Sequence, residues 1–510
     1  MPTRTLTIFQ MNDLHAQPLP HAELFWQAGR AMYRRDIGGV ARIAGVVKQA
    51  KRERPGEVLF FDCGDALFGS YYPMQDNGAG MVRVLNTMAI DATNGGHWEF
   101  AFGPAEYRKR VAELKYPAYA CNVYDQTSGA LILPPYGIRE AGGVRIGVIG
   151  LASNIVDKGM PPSFSEGLRF TMGLEDGTLQ RAVDALSGQV DLIVAISHLG
   201  LPQDIEVARR IGGIDVFISG HTHNRLWRPY VLEHPGGRTL FVQSGFSGSF
   251  LGRLDLTVET GGGAGGRPGG GGAGRHPGSP IADYRWQLLT VDGSCPEDEE
   301  TRAAVEAVTG PHRAYLEEVV GHTATSLHRM LFLEATMDNL ITKAYQAYTG
   351  TQVAISHGWR YGPPVPADAA GQTGRVTRGD LWNMIPLNVP VFTLEMTGQE
   401  LWEQAERWMT SSATAPIDQK GGYFTRQVGM NVMARINNPD GFRIEELFIA
   451  GAPCQPDRLY TVAVGGVQDV KGAGRSQRKL DVRALEILED YLRRNSPVTA
   501  ELTHDKFVWI

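Results

Sequence analysis

Residues 214–224 read IDVFISGHTHN. An apolar run with no period-2 alternation ends in a glycine and two histidines, His221 and His223. Such a run suits a strand buried on both faces. The histidines then fall just past its carboxyl end, where layered α/β enzymes hold their ligands. The same pattern recurs upstream: VDLIVAISHLG (190–200) carries His198, EVLFFDCGD (57–65) carries Asp62 and Asp65, RTLTIFQMNDLH (4–15) carries Asp13 and His15, and NGGHWEFAFG (94–103) carries His97. Between these runs GVARIAGVVKQAKRE, GMVRVLNTMAI and GPAEYRKRVAELK read as helices, so the first half is expected to be α/β.

The polar set has a chemical signature. Asp13 and His15 are two apart, so in extended chain both side chains face the same way. Carboxylate and imidazole ligands together suit manganese, iron or zinc better than calcium. No cysteine joins the set, which argues against a structural zinc. Each motif alone is weak, and the combination in this order is what carries the reading.

Bulk composition narrows the alternatives. A chain of 510 residues exceeds what one core supports, so two domains or more are expected. Apolar residues at 43% and charged residues at 20% are ordinary for a globular protein. The net charge of -6, without a basic run, excludes a phosphate-tracking surface, so no nucleic-acid partner is expected. Four scattered cysteines with no CxxC pair exclude a disulfide framework. The first strand follows the N-terminus without an apolar leader, and no apolar run is long enough for a membrane span. The expected location is therefore cytoplasmic, or periplasmic if a leader has been removed, with no membrane partner.

The organisation reads as a catalytic domain over 1–295, a helical linker over 296–320 broken at Gly310-Pro311, and a second α/β domain over 321–510. Residues 261–280 (GGGAGGRPGGGGAGRHPGSP) are expected to form a disordered loop between two neighbouring strands.

DxH, GD, GH, H and GHTH in this order resemble the calcineurin-like metallophosphoesterases. MNDLHA (11–16), LNVPVFTLEMTGQELWEQAE (387–406) and GGYFTRQVGMNV (421–432) are similar to segments of the 5′-nucleotidase family, so the likeness covers nearly the whole chain. The resemblance implies a four-layer β-sandwich flanked by helices, followed by an α/β nucleotidase-type C-terminal domain. It implies two divalent metal ions, with manganese first and zinc or iron(II) as alternatives. Asp13, His15, Asp65 and His223 match the ligands of one metal; Asp65, His97, His198 and His221 match those of the other, with Asp65 bridging. Asn122, in ACNVYD, matches an asparagine that the family places near substrate.

One turn departs from the nucleotidase pattern. That family reads GNHEFDxG, with an asparagine ligand, a catalytic histidine and an aspartate orienting it. Here Gly96-His97-Trp98-Glu99-Phe100-Ala101 stands in its place. His97 replaces the ligand, Trp98 the catalytic histidine and Ala101 its aspartate. GHWEF is instead similar to the turn of SoxB-type thiosulfohydrolases, and HGWRYG (357–362) resembles their arginine loop, which makes Arg360 an anion clamp. AVGGVQDV (463–470) lacks the aromatic residue with which nucleotidases stack a base, although Tyr423 or Phe424 could form one wall.

The resemblance thus implies a hydrolase that cleaves a sulfane–sulfonate bond and releases sulfate, using water activated between the two metals, with a small or carrier-bound anionic ester as substrate and a sulfur-carrier protein as partner. The alternatives are a phosphomonoesterase or nucleotidase, and a weakly active metal-binding protein kept for interaction. Cys63 is read as an inert buried thiol, Arg42 as structural, and Asp62 as a carboxylate that orients a ligand histidine.

Overall fold

The computed structural model describes residues 2–234, 237–260, 279–357, 361–367, 373–413, 415–418, 425–466, 470 and 473–510. The chain divides into two compact units, residues 1–21 with 36–310, and residues 22–35 with 311–510.

The first unit is built on two sheets. One has four strands, β1 (Thr3–Met11), β2 (Val58–Asp62), β9 (Phe250–Glu259) and β10 (Ile281–Thr290), in the order β10-β9-β1-β2. The other has six, β3 (Tyr136–Ala141), β4 (Val144–Leu151), β5 (Leu192–Ser197), β6 (Val216–Ser219), β7 (Tyr230–His234) and β8 (Gly237–Val242), in the order β7-β8-β6-β5-β4-β3. Leu6, Ile8, Leu59 and Phe61 of the first sheet meet Ile146, Val148, Val194, Ile196 and Ile218 of the second in one core.

Helices cover the outer faces. Phe9, Val58 and Phe60 turn the other way and pack against Val40, Ile43 and Val47 of α1 (Val40–Glu53) and Met81 and Leu85 of α2 (Ala79–Leu85). Ile193, Ala195 and Phe217 pack against α3 (Thr178–Ser187) and α4 (Leu201–Arg210). Helix, sheet, sheet and helix make the four layers expected. Because both faces of the central strands are covered, Phe60 and Phe61 or Ile193 and Val194 are all apolar, which is why the sequence shows no alternation.

Topology brings the strand ends together. β1 and β2 are parallel, and so are β4, β5, β6 and β8. Each parallel set therefore delivers its carboxyl ends to one edge.

The stretch 296–320 is divided between the units. Its helix α5 (Glu299–Thr309) packs on α1 and α2; Asp298 caps it by accepting from Thr301 N at 2.9 Å and is tied to Lys48 Nζ at 2.8 Å. The units part at Gly310-Pro311. The body of a hairpin, residues 22–35, groups with the second unit although the chain on both sides of it belongs to the first. Tyr33 lies 6.4 Å from the ring of His328.

The second unit has a mixed sheet of β11 (Val353–Ser356), β12 (Pro390–Thr397), β13 (Arg426–Val428), β14 (Leu459–Gly465) and β15 (Arg475–Arg483), in the order β13-β11-β14-β12-β15. α6 (Thr336–Thr349) and α8 (Ala484–Asn495) cover one face through Leu340, Ile341, Leu488 and Leu492. α7 (Gly398–Ala413) covers the other through Leu401, Ala405 and Met409. The glycine-rich expectation falls mostly on residues 261–278, outside the described residues; β9 and β10, which flank it, pair antiparallel. Among the described residues no helix is long and apolar enough to cross a membrane.

Candidate metal centre

Five of the seven expected ligands leave a strand end on an unusual backbone. Asp13, His15, Asp65, His221 and His223 have φ between 52° and 69°. Non-glycine residues enter this left-handed region at a cost of roughly 1–2 kcal/mol each. The bends are held by backbone bonds between loops: Asp13 N donates to Gly64 O at 3.0 Å, His15 N to Asp65 O at 2.7 Å and Cys63 N to Met11 O at 3.0 Å.

The seven side chains form two adjoining groups, Asp65 with His97, His198 and His221, and Asp13 with His15 and His223. His97 Nδ1 and His198 Nε2 lie 2.9 and 3.0 Å from Asp65 Oδ2. His223 Nε2 lies 3.2 Å and His198 Nε2 3.6 Å from Asp13 Oδ1. His15 and His223 approach through their Nε2 atoms at 3.0 Å.

Each carboxylate is used on both sides. Asp65 Oδ1 accepts from His97 N at 2.8 Å and Trp98 N at 2.9 Å, which turns Oδ2 toward the histidines. Asp13 Oδ2 accepts from Asn12 Nδ2 at 2.7 Å and His221 N at 2.9 Å, which turns Oδ1 inward. His198 donates from Nδ1 to Cys63 O at 2.5 Å, so Nε2 carries the free lone pair.

That arrangement tests whether a cation fits. Asp65 Oδ2 and His198 Nε2 are both buried, 3.0 Å apart, and in a geometry that leaves each without a hydrogen bond. A carboxylate oxygen and an imine lone pair repel unless a positive charge lies at both. Without a cation that charge has to be a proton: burial pushes His198 down, yet Asp65 and Asp13 hold it up at about 10, and a metal ion would take the proton's place. Burial raises Asp65, but His198 and His97 bring it well below the carboxylate range. Burial, and then His223, push His15 down to about 3, the neutral imidazole a metal needs. The donor set therefore fits divalent cations.

The remaining sequence candidates land differently. Trp98 is buried, its ring stacked on Phe68 at 5.1 Å and 20° and edge-on to Phe164 at 6.2 Å. Asn122 is buried with its amide engaged on backbone: Nδ2 donates to Ala152 O at 2.8 Å and Thr171 O at 2.7 Å, and Oδ1 accepts from Ala152 N at 2.8 Å. Its amide holds two chain segments together. Arg360 and the Tyr423, Phe424 and Gln468 positions lie outside the described residues. Beside Arg360, Tyr361 O accepts from Arg329 Nη1 at 3.3 Å. Asp62 accepts from Thr93 Oγ1 at 2.8 Å, Cys63 is buried, and Arg42 pairs with Asp36 at 2.9 Å.

Sequence reading missed the supports. Glu99 Oε1 accepts from Ala66 N at 2.7 Å and so pins the Asp65 loop; burial and the Asp65 charge push this carboxyl up to about 8. A Cβ at Gly96 would collide with Asp65 Oδ1 and Glu99 Oε2. Gly96→Ala is therefore expected to weaken manganese binding by about 10-fold or more, the range for disturbed ligand supports, and to lower the melting temperature; a calorimetric titration with a thermal melt checks both.

The comparisons agree with this architecture. The 5′-nucleotidase C-terminal domain family matches residues 319–469. A snake venom 5′-nucleotidase from Naja atra is 24% identical over 97% of this chain and 96% of its own length. A trifunctional nucleotide phosphoesterase of Bacillus subtilis is 23% identical over 92% of this chain, which spans 32% of that protein. Among solved structures, the sulfate thiohydrolase SoxB of Thermus thermophilus superposes with a TM-score of 0.86 at 23% identity, over 99% of this chain and 96% of that one. A 5′-nucleotidase precursor from the same species gives 0.82 at 24% identity, over 99% of each. The match to the 5′-nucleotidase C-terminal domain family lies within the second unit, and the chain shares its fold with the SoxB and 5′-nucleotidase structures along nearly its whole length.

Proposed function

We propose that the chain is a dinuclear hydrolase that cleaves a sulfane–sulfonate bond and releases sulfate. Asp13, His15, Asp65 and His223 would hold one cation and Asp65, His97, His198 and His221 the other, with manganese as the first choice of metal. When bound, two such ions supply Lewis-acid stabilisation of a developing oxyanion and activation of water. The residues themselves supply placement, a dry wall and net charge: two carboxylates balance only part of four positive charges, which leaves the site selective for anions.

The observation that carries the sulfur reading is Trp98. Its indole, stacked on Phe68, stands where the nucleotidase pattern has a histidine that stabilises the transition state. An indole donates no proton to a departing group, so the leaving atom must depart as a stable anion. Sulfur does this readily, since thiols ionise at about 8.5, whereas an alkoxide needs an acid. Arg360 is proposed to clamp the sulfonate, as a guanidinium fork suits such oxygens. A carrier-bound substrate is part of the same proposal.

A second reading, hydrolysis of phosphate monoesters, is favoured by relatives named 5′-nucleotidase. Manganese-loaded protein offered AMP, an aryl phosphate and a cysteine S-thiosulfonate separates the two. Sulfate release without phosphate release is expected; phosphate release alone would sink the sulfur reading.

A further inference from the structure

We infer that Asp204 is a positioning residue that locks His198 and His221 together and so shapes the second cation position; this rests on the dinuclear reading above. β5 and β6 are parallel neighbours whose last residues, Ser197 and Ser219, are register partners. His198 follows Ser197 directly, and His221 follows Ser219 by two. Asp204, in the first turn of α4, reaches across both strand ends. Its Oδ1 accepts from Ser197 Oγ at 2.6 Å and its Oδ2 from Ser219 Oγ at 2.5 Å. All three residues are fully buried.

The cost of this arrangement points to a geometric role. A buried carboxylate is expensive unless paired, and among the described residues no lysine or arginine pairs with Asp204. Two hydroxyl donors satisfy it, one from each strand. The backbone adds one link past the register, Gly220 N to Ser197 O at 2.8 Å. The His198 ring is already oriented by Cys63 O. What Asp204 adds is the spacing between the two strand ends, and with it the 5.4 Å separation of the His198 and His221 rings.

Asp204→Asn replaces one acceptor by a donor facing a hydroxyl, and Ser219→Ala deletes one arm while keeping the strand. Manganese(II) titration of the full chain, followed by electron paramagnetic resonance of the free ion, reads each binding step. Both variants are expected to weaken one of the two steps by about 10–100-fold, the range for partners that orient metal ligands, with the other step near wild type; the apo melting temperature falls by a few degrees in each, because a buried polar atom loses its partner. Unchanged steps in both variants overturn the inference, and so does a loss shared by both steps that tracks a lower apo melting temperature. A wild-type chain that fails to bind two ions overturns the dinuclear reading instead.

Discussion

Asp65→Asn is expected to reduce manganese stoichiometry from two ions per chain to one or fewer, and to lower hydrolysis by at least about 10³-fold, since disturbing outer partners alone costs 10–100-fold. The asparagine keeps the oxygen that accepts from His97 N and Trp98 N, so the turn stays closed. It changes the other atom. Asp65 Oδ2 is the oxygen that both His97 and His198 approach, and an amide nitrogen there presents hydrogens where a cation has to sit. The apo fold is expected to survive, because the substitution removes a buried charge while leaving its size and backbone bonds in place. Metal analysis after dialysis and an apo thermal melt read the two effects separately. Two tightly held ions in the variant would show that Asp65 does not bridge.

How far the site was legible in the sequence follows from where each residue's information lies. Asp13, Asp65, His198 and His221 announce themselves because a polar side chain breaks an apolar run at the place where a buried strand must end. That is a local signal, and the parallel pairing of the strands does the rest. Asn122 carries a similar local signal, yet its amide bonds to Ala152 and Thr171, thirty and forty-nine positions away. Nothing near residue 122 encodes that choice. Asp204 had a readable clue: it shares a helix face with Val207 and Ala208, three and four positions on, both buried. A carboxylate on a buried stripe needs partners, and the serines ending two neighbouring strands are the ones topology offers. The hairpin at 22–35 had no such clue, since a strand pair states its register but not the unit it docks on.

The turn that names the chemistry can also be run backwards. Trp98→His with Ala101→Asp is expected to raise turnover of AMP by about 100-fold, within the range for a positioned general acid, and that of an aryl phosphate by less, since a phenol ionises at about 10 and leaves more easily than an alkoxide. The backbone favours the pair. Trp98–Phe100 is a 3-10 turn, and Ala101 N donates to Trp98 O at 3.0 Å. Side chains three apart on such a turn lie over one another, so an aspartate at 101 sits beside an imidazole at 98 and can fix its tautomer. Trp98→His alone is expected to gain less, because nothing then orients the ring. The cost falls on stability: the stack on Phe68 and the edge contact with Phe164 are lost, and an aromatic pair contributes about 0.5–1.5 kcal/mol beyond its buried area. The melting temperature should fall while two ions remain bound. If phosphate turnover stays flat in a double variant that is folded and fully loaded, the missing acid is not what separates this chain from a phosphatase, and the case for a sulfur leaving group loses its physical basis.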